Sequence, residues 1–194
     1  MPTADKDDRI RSFVCVEVPR RIQERILAVQ DELRKTGARV SWVRHSNIHL
    51  TIRFLGDLRA SRVHQVTQAI EKSVVGTAPF ELEAGGTGCF PSSRNPRILW
   101  VGLTLVPESL SRIRNTLEDE LARIGFERES KKFSPHLTMG RIRSTDGAQQ
   151  LSERLLSIGF EPERFPVNAV VLMRSDLKPT GSIYQPQASI TLQG

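Results

Sequence analysis

Two α+β lobes of antiparallel sheet, with helices on their outer faces and a cleft between them, are the fold this sequence predicts. Runs rich in β-branched and aromatic residues alternate with amphipathic stretches at helical spacing. The order of those elements in the first half recurs in the second. The recurrence also keeps a constant offset. Trp100 stands 100 − 13 = 87 positions after Phe13, His136 stands 136 − 49 = 87 after His49, and Val167 stands 167 − 80 = 87 after Phe80. Two copies of that length are no solenoid. They predict an internal duplication, with lobes related by a pseudo-twofold axis and equivalent residues facing each other across it.

In chain order, residues 1–9 (MPTADKDDR) are too polar to pack and read as a flexible tail, leaving 10–194 as one bilobal domain. Residues 10–18 (IRSFVCVEV) form a strand that Pro19 ends. Ile22, Ile26, Val29 and Leu33 then mark a helix over 20–35, stopped by Gly37. Strands follow at 40–43 and 48–55, the second ending at Gly56-Asp57. Val63, Val66, Ile70 and Val74 mark a second helix, and 80–83 a strand. Residues 85–97 (GGTGCFPSSRNPR) are dense in glycine, proline, serine and arginine and read as a loop, with or without a short strand inside it, its Arg94 and Arg97 solvated or set against a backbone phosphate. In the second half, 98–105 is a strand and Leu110, Ile113, Leu117, Leu121 and Ile124 mark a helix. A strand over 134–142, a helix over 148–158 and strands over 167–173 and 182–192 complete the order.

The 194 residues are 38% apolar, with a mean hydropathy of -0.30, as in an ordinary soluble protein. The longest largely apolar stretch, 98–106, is too short to cross a bilayer as a helix, and the opening residues carry no secretion signal. A cytoplasmic protein is expected. Cys15 and Cys89 sit in apolar runs without a C-x-x-C and are expected as buried, reduced thiols. The net charge is 28 − 22 = +6, mostly from arginine, whose planar fork suits phosphate. That tilts the partner toward nucleic acid or phosphorylated metabolites.

The chemistry sits in His49-Leu50-Thr51-Ile52 and His136-Leu137-Thr138-Met139. Alternate side chains of a strand share a face, so each histidine and its threonine point together while Leu50, Ile52, Leu137 and Met139 point into the core. Two such pairs facing one cleft surround a tetrahedral group. Splitting a phosphodiester near neutral pH needs one group to take a proton and another to give one, and imidazole does either. Each role is worth about 10²–10⁴ in rate. Hydroxyls and an arginine stabilise charge on the non-bridging oxygens. His49, His136, Thr51 and Thr138 are therefore the catalytic candidates, with Arg53, Arg141, Tyr184 and Phe54 as candidates for substrate binding. Arg53, at i+4 from His49, faces the cleft in an unbroken strand; Arg141, at i+5 from His136, points away unless the strand bulges. Each has an ordinary alternative, namely solvation for the arginines and packing for Phe54 and Tyr184. His45 and His49 ligate a metal only if they share a helix, and no H-E-x-x-H accompanies them, so no metal site is expected. His64 reads as solvated.

HLTIRFLG and SPHLTMGR resemble the paired H-x-T-x motifs of the 2H phosphoesterase superfamily, and most closely its RNA 2′,3′-cyclic phosphodiesterase branch, also called 2′-5′ RNA ligase-like. RSFVCVEVP, FPSSRNPRILWVGL and SDLKPTGSIY extend the resemblance over nearly the whole chain. Gly140 departs from it, standing where the branch more often has alanine. The resemblance implies that His49 donates a proton to the leaving 3′ oxygen, that His136 accepts one from water, and that Thr51 and Thr138 hold the phosphate. On the residues alone, which histidine is acid stays open. It further implies a hydrolase without metal or cofactor that leaves a 2′-phosphate, with 2′-5′ joining as the reverse reaction. The partner would be RNA with 2′,3′-cyclic phosphate ends, tRNA fragments among them, with no membrane and no obligate protein partner. A phosphodiesterase of small cyclic nucleotides or ADP-ribose cyclic phosphate fits the same motifs. A non-catalytic RNA-binding module fits the charge but leaves both His-Thr pairs unexplained.

Overall fold

The computed structural model describes residues 9–179 and 181–194. Of the expected tail, residues 1–8 lie outside the described residues, while Arg9 already pairs with Arg59 at the start of the first strand. The elements are β1 (Arg9–Glu17), α1 (Arg20–Arg34), β2 (Val40–Trp42), β3 (His49–Arg59), α2 (Val63–Val74), β4 (Phe80–Ser92), β5 (Asn95–Leu105), α3 (Glu108–Arg123), β6 (Leu137–Ile142), α4 (Ala148–Ile158), β7 (Glu163–Val167), β8 (Ala169–Lys178) and β9 (Gly181–Thr191).

The strands form one curled antiparallel sheet in the order β7-β4-β5-β6-β3-β1-β8-β9, with β2 alongside β6. The order divides at its middle into two four-stranded lobes, β6-β5-β4-β7 and β3-β1-β8-β9. They meet at a single rung, Leu50 against Leu137. Strands β1 and β5, β3 and β6, and helices α1 and α3 are counterparts at the offset of 87. Val167, matched to Phe80 by that offset, is also its rung partner across β4 and β7; the true counterpart of β4 is β8, which starts after the break at Asn168. The outermost strands escape the repeat, since β9 closes a hairpin after β8 and β7 precedes it.

The helices cover one face of the sheet. Their apolar stripes (Ile22, Ile26 and Leu33 of α1, Leu110, Ile113 and Leu117 of α3) join Val14, Val16, Leu50, Leu99 and Leu137 in the main core. Each side chain buried this way contributes roughly 1.5–3 kcal/mol. The opposite face carries a small second cluster of Phe13, Cys15, Val171 and Met173, with Tyr184 packed against it.

Several boundaries differ from the sequence reading, and the strand expected over 167–173 is broken at Asn168 into the end of β7 and the first half of a longer β8. β3 does not stop at Gly56-Asp57: Gly56 takes φ 70 inside the ladder, and pairing resumes to Arg59. Residues 85–97 are no loop; they form most of a long hairpin between β4 and β5. Gly88 makes room there, because a Cβ on it would lie 2.3 Å from the Trp100 ring. The strand expected over 134–142 begins only at Leu137, so His136 sits just ahead of β6.

Candidate active site

At the joint between the lobes Leu50 and Leu137 are fully buried against the helices. The residues flanking them on both strands therefore point to the other face. Antiparallel pairing at that rung sets His49 across from Thr138 and Thr51 across from His136. The four side chains mark a quadrilateral with the histidines on one diagonal, where neighbours in a regular ladder stand about 7–8 Å apart and somewhat less at Cβ. That spacing brackets one tetrahedral phosphate.

Each imidazole is held in one tautomer. His49 Nδ1 lies 2.7 Å from the Asn47 carbonyl and His136 Nδ1 lies 2.7 Å from the Ser134 carbonyl, so in both rings Nδ1–H donates and Nε2 is left for chemistry. Asn47 and Ser134 are themselves 134 − 47 = 87 positions apart. The Thr51 hydroxyl sits 3.0 Å from His49 Nε2 and donates to it while the ring is neutral. Aromatic rings wall both histidines. Phe13 stacks on His49 with centroids 4.6 Å apart, and Tyr184 meets it edge-on at 5.3 Å. Phe90 meets His136 edge-on at 4.9 Å, with Trp100 at 6.4 Å.

This enclosure disfavours the charged rings. Burial above all pushes His49 down to about 4, with the charge of His136 adding to the fall and the Asn47 carbonyl opposing it. His136 is also lowered, first by burial and further by Arg141, against the pull of the Ser134 carbonyl. At pH 7 the free protein presents two neutral imidazoles, and an anion between them draws protons back onto them.

The arginines reverse the sequence expectation because both motif strands bulge. In β3, Val14 pairs with Arg53 and Cys15 with Thr51, leaving Ile52 extra. In β6, Leu99 pairs with Gly140 and Trp100 with Thr138, leaving Met139 extra. The bulges stand 139 − 52 = 87 positions apart and shift the alternation by one residue. The side chains at i+5, Phe54 and Arg141, thus come to the histidine face. Phe54 is 52% exposed, with its ring 6.1 Å from Phe13, so it is no core residue. The charge of Arg141 reaches both His136 and Tyr184. Arg53, expected in the cleft, turns away to Glu118, its Nε 2.7 Å from Oε1. Tyr184 packs on the small cluster and also meets His49 edge-on.

Sequence reasoning missed Phe13, Phe90 and Trp100 as site residues. A signal was present for two of them, because Phe13 and Trp100 are themselves a pair at the offset of 87. Beside His136 a recess of about 400 Å³ opens between Phe90, Trp100, Gly86, Thr87 and Ser134. Gly140 has a local cause: a Cβ there would lie 2.7 Å from Val40 Cγ1 of β2, whose Trp42 is its rung partner. Burial holds the Cys15 thiol far above its usual range and pushes Cys89 up to about 11, so neither is poised as a nucleophile. Among the described residues no three His, Cys, Asp or Glu side chains gather as a metal site, His45 lying in a short 3₁₀ turn instead of a helix with His49. No described helix is long and apolar enough to cross a membrane.

The chain matches the family model described as LigT like Phosphoesterase twice, over residues 16–100 and 103–184, with starts 103 − 16 = 87 positions apart. It is 30% identical over 177 residues to the RNA 2′,3′-cyclic phosphodiesterase of Methanothermobacter thermautotrophicus, covering 91% of this chain and 95% of that protein. The enzyme of the same name from Archaeoglobus fulgidus is 31% identical over 177 residues, covering 91% and 97%. Among solved structures, TT0787 of Thermus thermophilus superposes with a TM-score of 0.79 at 24% identity, covering 95% of this chain and 99% of that one. E. coli LigT complexed with 3′-AMP gives 0.77 at 22%, covering 96% and 100%. At those identities the two structures speak for the fold.

Proposed function

The chain belongs to the LigT-like phosphoesterase family, and from that premise we propose that it opens the 2′,3′-cyclic phosphate ends of RNA to 2′-phosphates by metal-independent acid–base catalysis. The observation that carries the reading is the meeting of two His-x-Thr pairs on one face, at one rung, with both Nδ1 atoms engaged by backbone carbonyls and both Nε2 atoms left to the site, that of His49 beside the Thr51 hydroxyl. In the proposed step the anionic cyclic phosphate raises the imidazole pKa values as it binds, and His49 takes up a proton from solvent on Nε2. His136 takes a proton from water, the water oxygen bonds to phosphorus, the P–O3′ bond breaks, and His49 protonates the departing O3′. The P–O2′ bond stays intact. Thr51, Thr138 and Arg141 hold the non-bridging oxygens as charge builds there. A 5′-hydroxyl in the place of water gives 2′-5′ joining by the same proton transfers.

RNA as substrate is supported by the names of the curated relatives and by the +6 charge. With that substrate the protein is a cytoplasmic RNA-end hydrolase, and tRNA fragments are among its candidate substrates. The offset of 87 supports reading residues 10–194 as one bilobal unit built by duplication.

The test is incubation with an oligonucleotide ending in 2′,3′-cyclic phosphate, followed by identification of the hydroxyl that keeps the phosphoryl group. A 2′-phosphate product is expected, with His49→Ala and His136→Ala each slowed by at least about 10²–10⁴ and no effect of EDTA. Retained turnover in either variant, or a 3′-phosphate product, rejects the assignment. Equal rates on the oligonucleotide, a cyclic mononucleotide and ADP-ribose cyclic phosphate would replace RNA by small cyclic phosphates as the substrate class.

A further inference from the structure

The two catalytic candidates depend on backbone carbonyls that are fixed in different ways. On the His49 side, Asn47 is tied by its own side chain, whose Nδ2 donates to the Ser182 carbonyl of β9 at 2.7 Å. On the His136 side, the carbonyl belongs to Ser134, at the end of an irregular segment over 126–136 that follows α3. Nothing in that segment's own backbone pattern holds it as a strand would. Its anchors are side chains, among them Arg128 on Asp119 and Arg62 over Phe126, and one set of them gathers around Arg53 of the opposite lobe.

Arg53, two positions beyond Thr51 on β3, is only 11% exposed. Its Nε lies 2.7 Å from Glu118 Oε1 on α3, off the N–H axis, so the contact is ionic. One Nη donates to the Phe54 carbonyl at 2.7 Å and stands 3.6 Å from Glu129 Oε2, and the other donates to the Glu127 carbonyl. Glu118 continues the chain of contacts. Its Oε2 accepts the Glu129 N–H at 3.1 Å, and its Oε1 stands 3.6 Å from Arg114. Arg114 in turn lies over the Phe133 ring at 5.2 Å. Phe133 immediately precedes Ser134.

We propose that Arg53 is a positioning residue for His136: through Glu118, Arg114 and the 127–133 segment, the first motif's strand holds the carbonyl that orients the second motif's imidazole. A buried guanidinium with four partners in fixed directions suits this task, whereas a lysine retains the charge and cannot span the same set. The brace also accounts for a buried cation beside a site for an anion without using it to bind one.

The experiment follows the His136 ring by ¹⁵N NMR and turnover in parallel, in the full chain, for Arg53→Ala, Arg53→Lys and Phe133→Leu. In the unaltered protein His136 is a single Nδ1–H tautomer. Each variant is expected to show a mixture of His136 tautomers with the His49 signals unchanged, and kcat lowered roughly 10- to 100-fold with KM within about twofold. Arg53→Lys separates this from mere stability, since it keeps a charge beside Glu118 and should melt near the unaltered protein while still losing the tautomer and the rate. A folded variant with the His136 signals and kcat both unchanged overturns the proposal; if Arg53→Ala does not fold, Arg53→Lys decides. The turnover arm rests on the proposed function and the NMR arm does not. A mixed tautomer with unchanged turnover would support the brace and reject His136 as a proton-transfer group.

Discussion

A histidine whose Nδ1 is engaged by a carbonyl has one nitrogen left, and both His49 and His136 leave Nε2 for the same face. Their low pKa values follow first from burial among aromatic rings, with a neighbouring charge adding to the fall in each. In an NMR titration of the free protein both midpoints are therefore expected below 6.5, with His49 the lower; saturating inorganic phosphate should raise both, because an anion favours imidazolium. A midpoint at or above 6.5 for His49 would contradict the enclosure. The same shift affects stability. The unfolded chain takes up the His49 proton near 6.5 and the folded one only near 4, so the unfolded state is favoured as pH falls between those values. The contribution is intact above 6.5 and declines toward pH 4 by roughly 3 kcal/mol at most. Urea midpoints measured across that window should fall less steeply for His49→Ala.

At the scale of elements, the extra residue after the threonine of each motif strand decides which side chains share the histidine face. The bulges at Ile52 and Met139 bring Phe54 and Arg141 to the histidine face and send Arg53 to α3. Arg141→Ala is expected to weaken substrate binding or slow turnover at least tenfold, about 1.4 kcal/mol, since a hydrogen bond to a charged group contributes about 1.5–3 kcal/mol; steady-state kinetics would check this, and an unchanged kcat/KM would remove Arg141 from the site. The β4–β5 hairpin offers a second test. Its Gly88 lies under Trp100, where an added Cβ would sit 2.3 Å from the ring. Gly88→Ala should therefore cost about 1–3 kcal/mol in stability, as overpacking does, and displace an aromatic wall of His136. Thermal melting and the Trp100 indole NMR signal report the two effects, and a variant unchanged in both would mean the indole has room to move.

For the molecule as a whole, charge and symmetry act over longer distances. With +6 distributed mainly as arginine, RNA should be bound partly through its phosphates, so its KM is expected to rise steeply with salt. The KM of a cyclic mononucleotide, with a single phosphate, should rise much less. Parallel salt dependence for both substrates would confine recognition to the two histidines and their surroundings. The palindromic strand order places the two motifs side by side at the centre of the sheet, so the site is shared by the lobes and belongs to neither alone.

Local patterning was enough to read the helices. Ile22, Ile26 and Leu33, or Leu110, Ile113 and Leu117, bury the stripe that their spacing announces, because helical periodicity depends on neighbours three and four residues away. The repeated order of elements and the His-x-Thr pairs were legible for a similar reason, being repeats of residue type at a fixed distance along the chain. What only the tertiary structure decided were quantities set by a partner strand or a distant ring. Whether a strand bulges after its threonine depends on the ladder with β1 or β5. Whether 85–97 is loop or hairpin depends on Trp100 requiring glycine opposite it. How far His49 is driven toward neutrality depends on Phe13 and Tyr184, from two other strands, closing over it. Alternation along a strand is a property of the chain, but the face that alternation finally presents is set by pairing with residues remote in sequence.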